Sequence, residues 1–431
     1  MAKIIPIFKS GDSNSAVNYR PISMLPFMSK IFEKLMCARL YSYLKSNNIL
    51  CTNQFGFRKN SNTSDAIIEF LDNVSSSLDS KQSTIAVYLD FSKAFDTVNH
   101  NIVSYCIMAS EVSCSAGLGR IWLTGNNTLQ SETAIPLCQT LHCVFHKARC
   151  WAQYSFFCIS MYRSSNQMRF VHFADGTTVF ASDSDINNDR DLVGVDNWLK
   201  ANRLFLNISK TSYMIIPNQK NAIEIRIRDS ILTKVSTVKF LGVTLDENLR
   251  FNDHVKNVNT KISKSVGVMR RLHCQLPADV MVKLYYSLVY SHLTYALLAW
   301  GRSGLTNAAG KIGCAHRRAC KLLTDYNHRI LTFHSIYDYF ALSKAFNTNT
   351  LNYHQYFKDK LSSHQPSHMH NTRHRTNTNF NTPLFNHSKI QKCYLYQVIS
   401  IWNSLPNSLK NCTSKFTFKK QIKSHLLASQ S

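Results

Sequence analysis

Two short apolar runs, each ending close to an aspartate, set the strongest limit on how this chain can fold. Thr84-Ile85-Ala86-Val87-Tyr88-Leu89 is rich in β-branched and aromatic residues and stops at Asp90. Arg169-Phe170-Val171-His172-Phe173 reaches Ala174-Asp175-Gly176 and resumes as Thr177-Thr178-Val179-Phe180, which predicts a β-hairpin with Asp-Gly at its turn. Helix-period sequence surrounds both runs, so the fold class is α+β. Carboxylates at strand ends can hold Mg²⁺ between an attacking hydroxyl and nucleotide phosphates. Acidic residues at strand ends are common in any protein of this class, and spacing alone leaves the chemistry open.

The remaining elements follow from periodicity. A helix is expected over about Ser29 to Ser46, with Ile31, Phe32, Leu35, Met36, Leu40 and Leu44 on one side. A second follows the capping cluster Thr63-Ser64-Asp65, and a third covers Val195 to Leu206. Tyr213 to Ile216 and Val238 to Leu245 read as short strands. From His254 to Leu272, Val255, Val258, Ile262, Met269 and Leu272 fall at helical spacing, and Lys256, Lys261, Lys264, Arg270 and Arg271 decorate the same helix. Those five suit either a solvated face or a nucleic-acid contact. Ser287 to Trp300 contains His292 and several hydroxyls and reads as a buried helix rather than a membrane span.

Charge narrows the class of partner. Fifty Lys and Arg against 25 Asp and Glu give a formal net charge of +25, which favours a polyanion because phosphate neutralisation releases condensed counterions. A basic solubility bias or a membrane-surface protein is the alternative. The thirteen cysteines follow no regular framework and are read as reduced thiols. No signal peptide or transmembrane segment is read, so an intracellular place, nucleus or cytoplasm, is expected.

The words around the two aspartates go further. Ile4-Ile5-Pro6-Ile7-Phe8-Lys9, Asn18-Tyr19-Arg20-Pro21-Ile22-Ser23, Gln54-Phe55-Gly56-Phe57-Arg58 and Leu89-Asp90-Phe91-Ser92-Lys93-Ala94-Phe95-Asp96 occur in that order. They are followed by Phe173-Ala174-Asp175-Gly176, Leu206-Asn207-Ile208-Ser209-Lys210-Thr211, Phe240-Leu241-Gly242 and Trp402-Asn403-Ser404-Leu405-Pro406. This series resembles the reverse transcriptases of non-LTR retrotransposons, of the jockey- and CR1-like kind, over nearly the whole chain. The resemblance implies a right-hand polymerase, with fingers at 1–83, an antiparallel palm at 84–250, a thumb-like helical region at 251–330 and a C-terminal region at 331–431 that includes a His-rich polar loop at 364–381. It implies Asp90 and Asp175 as catalytic Mg²⁺ ligands, and Lys9, Arg20, Phe95 and Lys210 around the incoming nucleotide. Phe240, Leu241 and Gly242 match the primer grip. The implied partners are an RNA template, a DNA primer and deoxynucleoside triphosphates. A chain beginning at Met1 without an upstream endonuclease is not expected to transpose by itself.

The chain departs from that pattern twice. The hairpin motif normally carries two adjacent aspartates, and the second position here is Gly176, one base change away. Losing a carboxylate from an electrostatic cluster is expected to impair catalysis. Glycine suits a tight turn, so the hairpin itself is expected to form at least as easily. Between the motifs the family carries a Pro-Gln-Gly loop and an apolar helix, whereas 104–160 is Cys- and His-rich with little periodicity. Back-translation of Val144 to Ser160, with each codon begun at its third base, permits Val-Pro-Gln-Gly-Ser-Val-Leu-Gly-Pro-Ile-Leu-Phe. We therefore read 104–160 as translated out of frame, leaving the palm damaged between the two Asp motifs. Cys138, His142, Cys143, His146, Cys150 and Cys158 then become accidents of codons, and no zinc is expected. Three alternatives stay open: a nucleic-acid-binding remnant that does not polymerise, a pseudogene translation, and a polymerase in which Asp183 or Asp185 replaces the missing carboxylate.

Overall fold

The computed structural model describes residues 3–24, 26–46, 52–91, 168–174, 176–182, 189–201, 204–217, 224–228, 230–302, 306–324, 329–350, 353–361, 379–382 and 393–430. Two compact units interleave along the chain. One holds Met1–Gln54, Phe91–Arg163 and Gly194–Leu206; the other holds Phe55–Asp90, Ser164–Val193 and Asn207–Ser431.

In the first unit β1 (Lys3–Phe8) and β2 (Tyr19–Met24) form an antiparallel hairpin, with Ile5 opposite Ile22 and Ile7 opposite Arg20. Side chains shape the connection between them. Asn18 Nδ2 donates to the Asp12 carbonyl at 2.8 Å, Tyr19 donates to the Ser13 carbonyl at 2.8 Å, and Gly11 takes the left-handed φ of +96°. The helix α1 (Phe27–Ser46) begins two residues before its expected start.

In the second unit α2 (Thr63–Asp79) opens on a capping box one residue ahead of the expected cluster. Asn62 Oδ1 accepts from the Asp65 amide, and Asp65 Oδ2 accepts from the Asn62 amide, both at 3.0 Å. The expected strand is β3 (Thr84–Leu89), and the expected hairpin is β4 (Arg169–Phe173) with β5 (Gly176–Ser182). The helix α3 (Asp189–Ala201) starts in this unit and runs on into the segment 194–206 of the first, and it lies earlier than the expected 195–206. Its C-terminal continuation is used otherwise: Leu204 donates to the Leu199 carbonyl, and Leu206 pairs with Phe91 in an antiparallel bridge. Then come β6 (Ser212–Ile216), β7 (Arg226–Ile227), β8 (Ser230–Ile231) and β9 (Thr233–Lys234).

The main sheet runs β4-β5-β3-β6-β9, with β3 in the middle and antiparallel to both neighbours. A central strand covered on its faces needs apolar residues at successive positions, and Ile85, Ala86, Val87 and Leu89 are all buried. Phe70 of α2 packs edge-on against Phe180 at 5.3 Å and tilted against Phe240 at 5.4 Å, pinning the helix to the sheet.

The expected single strand at 238–245 is instead a tight hairpin, β10 (Thr237–Phe240) and β11 (Val243–Asp246), because Leu241 and Gly242 both adopt left-handed φ, +45° and +84°. Helices complete the unit: α4 (Asn252–Leu272), α5 (Ala278–Leu284), a π-helical turn at Tyr285–Tyr290, α6 (Ser291–Thr294), α7 (Leu297–Trp300), α8 (Thr306–Thr324), α9 (Phe333–Thr350), α10 (Gln355–Lys360), α11 (Tyr394–Asn403), α12 (Asn407–Lys410) and α13 (Lys415–Ala428). The helix expected over Ser287–Trp300 is therefore broken, with the break at Tyr295 and at Ala296, whose φ is +48°. Among the described residues no helix is long and apolar enough to cross a membrane.

The C-terminal helices share the core of this unit. Asp65 is fully buried on α2, and besides its cap it accepts from Lys344 Nζ at 2.5 Å and from the Tyr353 hydroxyl at 3.1 Å. Asn403 holds Phe380 through both of its backbone groups, at 2.9 and 3.0 Å, beside the buried Trp402.

Candidate active site

The candidate site gathers at one end of the central strand. Asp90 follows β3 and is half-buried. Its amide donates to Thr211 Oγ1 at 3.3 Å, its carbonyl accepts from the Asn207 amide at 2.8 Å, and Thr211 Oγ1 donates to the Asn207 carbonyl at 2.9 Å. The turn at 207–211 thus fastens the backbone of Asp90 from one side, while its carboxylate has no partner among the described residues. Lys210, in the same turn, is exposed.

From the other side comes the hairpin. β3 pairs with β5 up to Leu89 opposite Thr177, and continuing that register by one residue sets Asp90 opposite Gly176. Asp175 lies outside the described residues, as do Phe95 and the whole of 104–160 with its Cys and His residues. The structure corrects the role expected of Gly176. It is the first residue of β5, paired with Phe173, and it does not adopt a left-handed φ; the left-handed residue beside it is Ala174, at +53°. A Cβ built at 176 meets the Phe173 carbonyl oxygen at 3.3 Å and Leu241 Cδ2 at 4.0 Å. The φ therefore gives no reason for glycine at this position, and a side chain needs only the Phe173 carbonyl to give by a few tenths of an ångström.

Three features around the site have no local sequence signal strong enough to assign them. Gly56 presses against the hairpin connection so closely that a Cβ there lies 2.2 Å from the Ala174 nitrogen, while the Phe55 amide donates to the His172 carbonyl at 2.9 Å. Tyr295 donates to the Leu241 carbonyl at 2.6 Å, and its hydroxyl sits 3.0 Å from a Cβ built at Gly242. His172 is buried against Thr177 Oγ1 at 3.0 Å, and burial pushes its pKa down to about 4.

The other expected residues fall as follows. Phe240 is buried and packs on Phe70 and on Tyr88, with Leu241 and Gly242 at the turn beyond it. Lys256, Lys261, Lys264, Arg270 and Arg271 are all exposed on α4, opposite the buried Val255, Val258, Ile262, Val266 and Met269. Lys9 and Arg20 belong to the other unit. Lys9 is exposed and its amide donates to the Asn18 carbonyl at 2.9 Å, while Arg20 has only its backbone described, in β2. A hard cation such as Mg²⁺ takes oxygen donors. Asp90 offers one carboxylate of that kind, and no group of three or more metal-ligating side chains occurs among the described residues.

Comparison with known proteins agrees with the motifs. Residues 7–245 match the family model for reverse transcriptase (RNA-dependent DNA polymerase). The chain is 24% identical over 398 residues to a probable RNA-directed DNA polymerase from transposon BS of Drosophila melanogaster, covering 84% of this chain and 42% of that protein. It is 23% identical over 377 residues to the X-element counterpart from the same organism, covering 81% and 40%. It is also 24% identical over 335 residues to the RNA-directed DNA polymerase of the mobile element jockey from Drosophila funebris, covering 71% and 36%. The chain thus spans about two fifths of the length of these curated relatives. Among solved structures, telomerase from Candida albicans in complex with a fragment of telomeric RNA aligns at a TM-score of 0.41 with 12% identity, over 75% of this chain and 64% of that one. The chain belongs to the reverse transcriptase (RNA-dependent DNA polymerase) family, in the form carried by non-LTR retrotransposons.

Proposed function

We propose that this chain binds an RNA template and a DNA primer through the reverse-transcriptase part of a retrotransposon protein, and that its DNA synthesis is impaired. What supports this most directly is the β3–β5 register, which ends with Leu89 opposite Thr177 and, extended by one residue, brings Asp90 level with position 176, where glycine supplies no carboxylate. Asp90 and Asp175 would hold Mg²⁺, which supplies charge neutralisation at the phosphates and activation of the primer hydroxyl. Thr211 and Asn207 position Asp90 through its backbone, and among the described residues nothing competes with a cation for its carboxylate. Lys9, Arg20 and Lys210 act on the incoming deoxynucleoside triphosphate, and Phe95 screens its sugar. Phe240, Leu241 and Gly242 carry the primer end. The division into fingers at 1–83, palm at 84–250 and thumb at 251–330 is part of the same reading, as is out-of-frame translation of 104–160.

Primer extension on poly(rA)/oligo(dT) with Mg²⁺ or Mn²⁺, against an Asp90→Ala control, tests the proposal. Incorporation no greater than the control, with RNA binding retained, is the expected result. Incorporation clearly above it would show the site to be competent despite Gly176. Sequencing the encoding DNA across codons 100 to 165 tests the frame: codons there that cannot spell the Pro-Gln-Gly motif end that part of the proposal. The formal charge of +25 and the exposed basic face of α4 support a second reading, a binding protein that does not polymerise.

A further inference from the structure

Asp359 is the last acidic residue of the chain. Residues 360–431 carry eight lysines and two arginines and no acidic side chain, so ten of the net positive charges come from the final 72 residues. Four of those lysines sit on one helix, α13, at Lys415, Lys419, Lys420 and Lys423. The inward face of α13 is fully used. Phe418, Ile422 and Leu426 are buried, and Phe418 stacks on Phe346 of α9 at 4.2 Å and lies 5.9 Å from Trp402. The outward face has a different composition. Phe416, Lys420 and Lys423 follow at i, i+4 and i+7 and form one stripe about 10 Å long. Lys415 stands beside it at the helix start. All four are exposed, Phe416 at 79%, and none of the three lysines makes an ion pair among the described residues.

From this we infer that α13 is a contact surface for single-stranded nucleic acid, separate from the polymerase site and from α4. Lysines spaced along one stripe neutralise successive phosphates, and no ion pair among the described residues compensates Lys415, Lys420 or Lys423. An aromatic ring held out in water beside them offers a stacking face, which only an unpaired base can occupy. The stripe spans two to three nucleotides of a stacked strand at roughly 3.4 Å each. A membrane surface is disfavoured by the same packing. Amphipathic membrane helices insert an apolar face, and the apolar face of α13 is buried in the protein.

The test is binding of the full-length chain to a 20-nucleotide RNA homopolymer across a salt series, with duplex RNA and phosphatidylserine vesicles as parallel ligands. Replacing Lys415, Lys420 and Lys423 together by Gln should make the log–log salt slope for the single strand shallower by about 2, since each phosphate contact contributes about 0.7. Replacing the same three by Arg should preserve the slope. Phe416→Ala should weaken single-strand binding about tenfold at unchanged slope, and leave duplex binding alone. All four positions are exposed, and melting curves matching wild type will show that any loss arises at the surface. An unchanged slope and affinity in the Gln variant overturn the assignment. So does an equal loss on duplex in Phe416→Ala, or loss of vesicle binding in these variants with single-strand binding intact.

Discussion

The hydroxyl of Tyr295 donates to the carbonyl of Leu241 at 2.6 Å across 54 residues of sequence. A residue at a break in the helical region thereby holds the β10–β11 turn, whose two residues both occupy the left-handed region. Tyr295→Phe removes that hydrogen bond and should lower stability by about 1 kcal/mol in urea unfolding. Gly242→Ala should cost more, about 2 kcal/mol, because a Cβ meets the same hydroxyl and the φ of +84° disfavours any side chain. Equal effects of the two variants would mean that the hydroxyl, not the backbone, dominates the turn.

Gly56 should be the least replaceable glycine among those described. A Cβ at 2.2 Å from the Ala174 nitrogen meets only backbone atoms, those of Phe173 and Ala174, and cannot be relieved by a rotamer change. Gly56→Ala should destabilise by about 3 kcal/mol or prevent folding, read by thermal melting. A melt within a few degrees of wild type would refute this account of the close approach.

Gly176 should behave oppositely. Gly176→Asp needs the Phe173 carbonyl to give by a few tenths of an ångström, and stability should change by no more than about 1 kcal/mol. If the absent carboxylate is what limits synthesis, the same variant should gain primer extension by about a hundredfold, and Asp90→Ala should abolish the gain. A Gly176→Asp protein that folds and remains silent would place the defect elsewhere.

The buried ion pair of Asp65 and Lys344 should show the asymmetry expected of paired charges in a core. Lys344→Met leaves Asp65 facing only Tyr353 and its own helix cap, and should cost about 3–5 kcal/mol in urea unfolding. Asp65→Asn combined with Lys344→Met should recover part of that loss. Additive losses in the double variant would contradict the pairing.

Stability should peak near pH 6.5. Burial pushes His172, His254 and His316 down to about 4, so the unfolded chain binds more protons than the folded one between about pH 4 and 6.5, and stability rises with pH there. Glu69 behaves in reverse. Burial, with Asp72 nearby, pushes it up to about 8, so the folded chain holds the extra proton between about 4.5 and 8, and stability falls with pH. Below 6.5 three histidines outweigh one glutamate, and above it Glu69 acts alone among these four. Glu69→Gln should flatten the decline between pH 6.5 and 8 in denaturant titrations, and a decline that persists would assign it to another group.

The parts of the fold legible in the sequence are those governed by neighbours along the chain. The strand at Thr84–Leu89 matches at both ends, and the β4–β5 hairpin and α4 follow their periods closely. The turn at Leu241-Gly242 is implied by the resemblance to a primer-grip turn but is invisible to periodicity, because a leucine in left-handed conformation gives no turn signal, and it is stabilised by Tyr295. The helix at 195–206 was displaced because Leu206 is taken by Phe91, more than a hundred residues away. Within the candidate site, Asp90 was visible from its strand, whereas the hold of Thr211 and Asn207 on its backbone depends on a turn whose spacing says nothing about its partner.

The burial of Asp65 gives a distant codon a hold on an earlier helix. The carboxylate that starts α2 is neutralised by a lysine encoded 279 codons later. A ribosome that stops anywhere before Lys344 releases a chain in which an early helix carries an unanswered negative charge into its own core. Truncations upstream of Lys344 should therefore be read out as misfolding around α2.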